Sequence, residues 1–193
     1  MSNERKQLFN GRDLSGWQMA GPGGFVVEDG AMKTQGGMGL LWYTPETFGN
    51  CVLHLVYRVS RIEDNSGVFV RIADRPPDPW FAVHHGYEVQ IFEPADEYHR
   101  TGAIYSLSPA LAEAQRPPGE WNEMDIAMRG ELVEVTINGT LVTQFDPTGP
   151  VPEQQFPYEP ERGPRPVEGY IGLQNHDGES TVYFREVSVA PLG

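Results

Sequence analysis

Hydrophobic and polar positions alternate with a period of two along most of this chain. A β-strand imposes that spacing, because successive side chains point to opposite faces. In Gly86-Tyr87-Glu88-Val89-Gln90-Ile91-Phe92-Glu93, Tyr87, Val89 and Ile91 share one face while Glu88, Gln90 and Phe92 share the other. A sandwich strand turns one face to the core. That leaves an acid, an amide and an aromatic ring on a face suited either to a sugar or to water. Asn50 to Ser60 is the longest run, with Cys51, Leu53, Leu55, Tyr57 and Val59 alternating with Val52, His54, Val56 and Arg58. Both sets are partly apolar, which predicts a central strand covered on both faces. Ser66 to Ala73 puts Val68, Val70 and Ile72 on one face and Phe69 and Arg71 on the other. Further strands are predicted at 25–28, 31–34, 40–43, 101–107, 120–128, 132–137, 141–145, 169–174 and 182–189. Asp29-Gly30 and Asn138-Gly139 supply hairpin turns.

Only Pro109 to Gln115 reads as helical, about two turns long with proline in the first. Two long stretches read as loops: Arg75 to His85, rich in proline and aromatics, and Thr148 to Val167 with six prolines. Loops of such length serve as functional rims or lids, or are disordered. Many short strands joined by turns predict an all-β sandwich or jelly roll. No shift of composition divides the 193 residues, so one domain over 1–193 is expected.

Charge and cysteine content narrow the classes further. Lys+Arg 14 against Asp+Glu 27 leaves a net charge of −13, which argues against nucleic acid and anionic membrane surfaces as partners. Cys51 is the only cysteine, so no intramolecular disulfide can form, and its apolar run predicts a buried thiol. Residues 1–7 are polar and no apolar stretch follows, so neither a signal peptide nor a membrane span is expected and the cytoplasm is the default. Gly36-Gly37-Met38-Gly39 lacks a following helix and a Lys-Ser/Thr pair, so it reads as a turn and not as a phosphate cradle.

Several separated segments resemble one known family, the 3-keto-disaccharide hydrolase domain. Leu8 to Trp17 (LFNGRDLSGW) is similar to the family's N-terminal signature. Asn65 to Arg71, Gly86 to Ile91, Thr101 to Tyr105, Gly119 to Asn122, Asn138-Gly139, Gly169 to Gln174 and Phe184-Arg185 follow in the family's order and cover nearly the whole chain. The resemblance implies a concanavalin A-like jelly roll of two curved antiparallel sheets, with a concave face. It implies cleavage of 3-keto-glycosides, aided in some members by a divalent cation such as Ca²⁺, Mg²⁺ or Mn²⁺. The chain departs from the family's pattern at Val56, where Glu is frequent, and at Glu93, where Asp is frequent.

A 3-keto group acidifies the hydrogen on C2, so a base, a stabiliser of the enolate and an acid for the leaving oxygen would suffice. No Ser-His-Asp pattern is needed, and none is recognisable. Glu88 is the first candidate for base or metal ligand, or else an ion-pair partner of Arg71 or Arg58. Arg71 is a candidate enolate stabiliser. His176, at the end of a strand, is a candidate acid/base group, or an exposed loop residue. Gln90 and Gln174 suit sugar hydroxyls, and Asn65 is a sugar contact or a turn former. Tyr105 is a candidate donor to the leaving oxygen, or a buried strand residue. Glu93 is a second carboxylate for a weak oxygen-rich cation site shared with Glu88, with His84, His85 and His99 flanking the same strand. Trp80, in a proline-rich loop with Phe81, is the best candidate for stacking on a pyranose, whereas Trp17 and Trp121 are expected in the core. The expected partner is a carbohydrate. The leading reading is a hydrolase or lyase of 3-keto-glycosides. The rivals are a non-catalytic carbohydrate-binding module and an interaction or structural domain.

Overall fold

The computed structural model describes residues 4–192. Strands β1 (Lys6–Gln7), β2 (Trp17–Ala20), β3 (Gly24–Glu28), β4 (Ala31–Gln35), β5 (Gly39–Tyr43), β6 (Cys51–Val59) and β7 (Ser66–Ile72) lead to a helix, α1 (Pro79–His85). Strands β8 (Tyr87–Ile91), β9 (Asn122–Arg129), β10 (Leu132–Ile137), β11 (Thr140–Phe145), β12 (Tyr170–Asn175) and β13 (Val182–Pro191) complete the chain. They form two antiparallel sheets. One runs β11-β10-β9-β6-β13-β4-β3, with β1 beside β13, and the other runs β2-β5-β12-β7-β8. The result is an all-β jelly-roll sandwich, as the alternation predicts.

The core lies where the two inner faces meet. Leu53, Leu55 and Tyr57 of β6, with Met124, Ile126 and Met128 of β9, pack against Val68, Val70, Tyr87, Val89, Ile91 and Leu173 of the smaller sheet. Burial of such side chains contributes about 1.5–3 kcal/mol each. A second cluster sits on the outer face of the five-stranded sheet, where Leu40, Trp42, Phe69 and Ile72 are covered by Ala82 and Val83 of α1. Helix α1 thus packs on the face that carries Glu88 and Gln90. Asn138 and Gly139 both take positive φ in the hairpin between β10 and β11, as their sequence demands.

Four local expectations are corrected. The loop read over Arg75 to His85 contains α1, whose Asp78 side chain accepts a hydrogen bond from the Phe81 N–H while Pro79 fills the first turn. That is a helix start written in the sequence as Asp-Pro. The helix read over Pro109 to Gln115 is absent, because tertiary partners take its backbone: the Ala110 N–H donates to Glu97 O, the Leu111 N–H to Val142 O, and Ala114 O accepts from Asn138. Two turns have no nucleation reserve against such competition. The strand read over Thr101 to Leu107 is an irregular segment that covers the edge of β8. It exchanges hydrogen bonds with Glu88, Gln90 and Phe92, then turns away at Gly102 and Ser106, both at positive φ. Trp121 is not core but lies against the Arg58 and Arg185 guanidinium groups, at 4.7 and 4.5 Å from its ring centroid.

The proline-rich segment after β11 has no strand or helix, yet side chains clamp it. Arg162 donates to the carbonyls of Pro152 and Pro160, and Arg165 to those of His84 and Gly86. Glu159, almost fully buried, accepts from the Gln155 N–H and from Arg162. It forms a built rim beside the outer face of the smaller sheet.

Candidate active site

A cavity of about 410 Å³ opens over the outer face of the five-stranded sheet. Register determines its floor. Gly172 of β12 pairs with Trp42 on one side and Phe69 on the other, and Phe69 pairs with Glu88. Gly67 lies opposite Gln90. A Cβ on Gly67 would stand 2.4 Å from Glu88 Oε1, so the missing side chain is the space that the carboxyl occupies. Asn65 enters from the turn before β7, and Gln174 and His176 from the end of β12. Trp80 and Val83 of α1 form one wall. Phe92, His99 and Tyr105 form another, and Tyr158 reaches in from the proline-rich rim.

Glu88 is only 8% exposed and forms no salt bridge among the described residues. Burial pushes its carboxyl up to about 8, with the Gln174 amide opposing in smaller measure. The Tyr105 phenol, pushed up to about 12 by burial and then by the nearby Glu88, stays a neutral donor. Two buried oxygens at this cavity, Asn65 Oδ1 and Gln174 Oε1, have no hydrogen-bond partner. An unmet buried acceptor is costly, so both are poised for donors brought by a ligand. Two histidines flank the cavity, each held by a neighbouring carboxylate. His176 Nδ1 lies 2.8 Å from Asp177 Oδ2, and His99 Nδ1 lies 2.8 Å from Asp96 Oδ2. Such contacts fix ring orientation.

Of the residues singled out in the sequence, Glu88, Gln90, Asn65, Gln174, His176, Tyr105 and Trp80 line this one cavity. Arg71 does not. A bulge interrupts β7, since Tyr170 pairs with Ile72 but Gly172 with Phe69. Arg71 takes φ +56° there, and its Nη2 donates to Gly130 O in the turn between β9 and β10. The bulge also moves Ile72 to the Phe69 side, correcting the face assigned to it. Neither Arg71 nor Arg58 pairs with Glu88; Arg58 stacks on Trp121 and Tyr183. Glu93 lies past the end of β8 and is not among the residues that line the cavity. Among the described residues no three His, Cys, Asp or Glu side chains converge on a metal position. His84 and His85 sit in the last turn of α1 and do not line the cavity. His99, singled out in the sequence as a flanking histidine of a cation site, lines the cavity with Glu88, whereas Tyr158, which only tertiary structure delivers from a distant loop, is not singled out there.

The 3-keto-alpha-glucoside-1,2-lyase-like domain matches residues 4–190. A 3-keto-disaccharide hydrolase of Bacteroides thetaiotaomicron is 23% identical over 227 aligned positions, spanning 96% of this chain and 77% of that protein. A candidate glycosyl hydrolase of Parabacteroides distasonis superposes with a TM-score of 0.77 at 25% identity, over 98% of this chain and all of the other. The carbohydrate-binding module CBM66 of Bacillus subtilis shares the fold alone, with a TM-score of 0.56 at 15% identity over 91% of this chain and 95% of that one. Matched along nearly all its length and carrying the segments Leu8 to Trp17 and Gly86 to Ile91, the chain belongs to the 3-keto-alpha-glucoside-1,2-lyase-like domain family.

Proposed function

We propose that this protein cleaves 3-keto-glycosides by base-assisted elimination followed by hydration, with Glu88 as the base. One observation carries the reading: a buried carboxylate with no cation beside it, raised towards neutral pH, at the floor of a cavity with unmet amide oxygens. A base of that affinity is matched to a C–H acidified by an adjacent ketone. Glu88 takes the C2 proton, and the electron pair of that C–H bond forms the enolate. As the C3 ketone reforms, C1=C2 forms and the C1–O bond breaks, its electron pair leaving on the departing oxygen, which gains a proton. Water then adds its oxygen to C1 of the enone, and a proton returns to C2. The balance is glycoside plus water giving 3-keto sugar plus alcohol.

In this reading Tyr105 donates to a developing oxygen anion, and Asn65, Gln90 and Gln174 bind sugar hydroxyls. Trp80, 47% exposed on α1, offers a ring face. His176 and His99, each held by a carboxylate, are the groups able to protonate the leaving oxygen. Were a divalent cation (Ca²⁺, Mg²⁺ or Mn²⁺) bound, the cavity donors that would hold it are Glu88, Asn65 Oδ1, Gln174 Oε1 and His176. Bound there, it would polarise the ketone as a Lewis acid.

The test is cleavage of a 3-keto-glucoside by purified protein, with and without EDTA, beside Glu88→Gln. Turnover lost in the variant supports the base role, and EDTA sensitivity adds the cation. The second reading, a non-catalytic carbohydrate-binding module, draws on the fold shared with CBM66 and on the exposed Trp80. Saturable binding by both proteins without turnover would select it.

A further inference from the structure

A second cavity, of about 500 Å³, adjoins the first. The two share His99, Tyr105 and Tyr158, so these three rings mark the border between them. Beyond the border, Phe156 and Tyr158 stack with their planes within 5° and their centroids 5.1 Å apart, an offset arrangement. Each is 49% exposed. Two large aromatic side chains held in the open on a loop need a reason. The loop is not slack, since Arg162 and the buried Glu159 clamp it from within. The platform is therefore built before any ligand arrives, which lowers the cost of binding a rigid ring.

The polar lining adds chemistry. Asp96, Glu153, Glu159 and Ser106 offer hydrogen-bond acceptors, and no lysine or arginine is among the lining residues. Hydroxyl groups on a neutral ring suit such a wall, whereas a carboxylate or phosphate would meet like charge. Aromatic faces beside acceptors, with three carboxylates against a single histidine in the lining, describe a site for an uncharged pyranose.

We infer that the second cavity is the subsite for the leaving group of the reaction proposed above, and that this leaving group is a neutral sugar ring stacked on the Phe156–Tyr158 platform. The inference rests on that reading, because it puts the keto ring over Glu88. The bond to be broken then lies at the border, where His99, held by Asp96, gives its proton to the departing oxygen as the C1–O electron pair moves onto it. In the hydration step His99 takes a proton back from water as the oxygen bonds to C1, and Glu88 returns its proton to C2. Both groups end as they began.

The experiment compares two substrates, a 3-keto-disaccharide with a glucose leaving group and the methyl 3-keto-glucoside, in the wild type and Phe156→Ala. Phe156 touches the second cavity only. The ratio of kcat/KM for the disaccharide to that for the methyl glycoside should fall about tenfold, the size of one lost ring stack. An unchanged ratio overturns the subsite, whether both rates fall together or neither falls. If the wild type cleaves neither substrate, the reaction proposed above fails, and calorimetric binding of the same two compounds decides the subsite separately. Tighter binding of the disaccharide, abolished in Phe156→Ala, upholds the platform; equal affinities in the wild type overturn it. A further arm uses a disaccharide whose leaving ring is a uronate. Its cleavage should be at least tenfold slower than that of the neutral compound, and equal rates refute the charge argument.

Discussion

Replacing Glu88 by glutamine should make the protein more stable, by an amount that depends on pH. In the unfolded chain the Glu88 carboxyl ionises near 4.5, whereas in the fold burial raises it to about 8. Between those values the folded state holds a proton that the unfolded state has lost. Stability contributed by the neutral carboxyl is therefore complete below 4.5 and is lost as pH rises through 8. Each unit between 4.5 and the working pH costs about 1.4 kcal/mol. At pH 7 that interval is 7 minus 4.5, or 2.5 units, and the cost is about 3 kcal/mol. Above pH 8 the folded carboxyl is ionised too and the cost levels off near 5 kcal/mol.

Glutamine has nearly the same shape, keeps a hydrogen-bonding end towards Gln174 and never ionises. Glu88→Gln should thus gain about 3 kcal/mol at pH 7, or roughly 6–12 °C in Tm for a chain of this size. Urea unfolding of both proteins from pH 5.5 to 9, with equal m-values, measures the difference directly. The gap should widen by about 1.4 kcal/mol per pH unit up to about pH 7.5 and then flatten. A gap independent of pH would falsify the buried, raised carboxyl, because packing differences carry no proton dependence. A variant both more stable and inactive would show a site that gives up stability for function.

Three further outcomes follow from the same geometry. The kcat/KM for a 3-keto-glucoside should rise tenfold per pH unit as pH climbs from about 5 towards 8, since only ionised Glu88 can take a proton; a rising limb that ends near 4.5 would remove Glu88 from that role. Gly67→Ala should lower kcat/KM by about 100-fold with an unchanged far-ultraviolet spectrum, because its Cβ would fall 2.4 Å from Glu88 Oε1 and push the carboxyl aside; full activity would show that the carboxyl need not sit there. Asp78→Ala removes the cap of α1 and should cost about 1 kcal/mol, read as a drop of roughly 2–4 °C in Tm, while Asp78→Asn should recover most of it.

What the sequence discloses depends on whether the cause is local. Alternation in Tyr87 to Ile91 is forced by the pleat, so it separates the core face from the cavity face without further information. Glu88, Gln90, Asn65 and Gln174 could be grouped because they sit on or beside strands whose two faces have opposite fates. Arg71 breaks the same rule. Its positive φ inserts one extra residue opposite β12 and turns the side chain towards Gly130, and nothing in Ser66 to Ile72 advertises the bulge. A glycine at that position would have been a signal. Helix α1 is the reverse case: Asp78-Pro79 is a local start signal that sets a helix inside a stretch whose proline and aromatic content otherwise reads as loop. His99, Tyr105 and Tyr158 belong to a third kind. Tyr105 and Tyr158 are placed by long-range clamps, with Tyr105 N–H on Glu88 O and Arg162 on Ser106, Pro152 and Glu159, while His99, held locally by Asp96, lies on the segment that bonds along β8. Spacing along the chain does not encode such contacts. The chemistry on the floor of the site is therefore readable from strand periodicity, whereas its rim, where the proposed leaving group binds, is a tertiary product. Variation among related chains should accordingly concentrate in the rim, as loops tolerate change and carry specificity, while the pattern across β7, β8 and β12 persists.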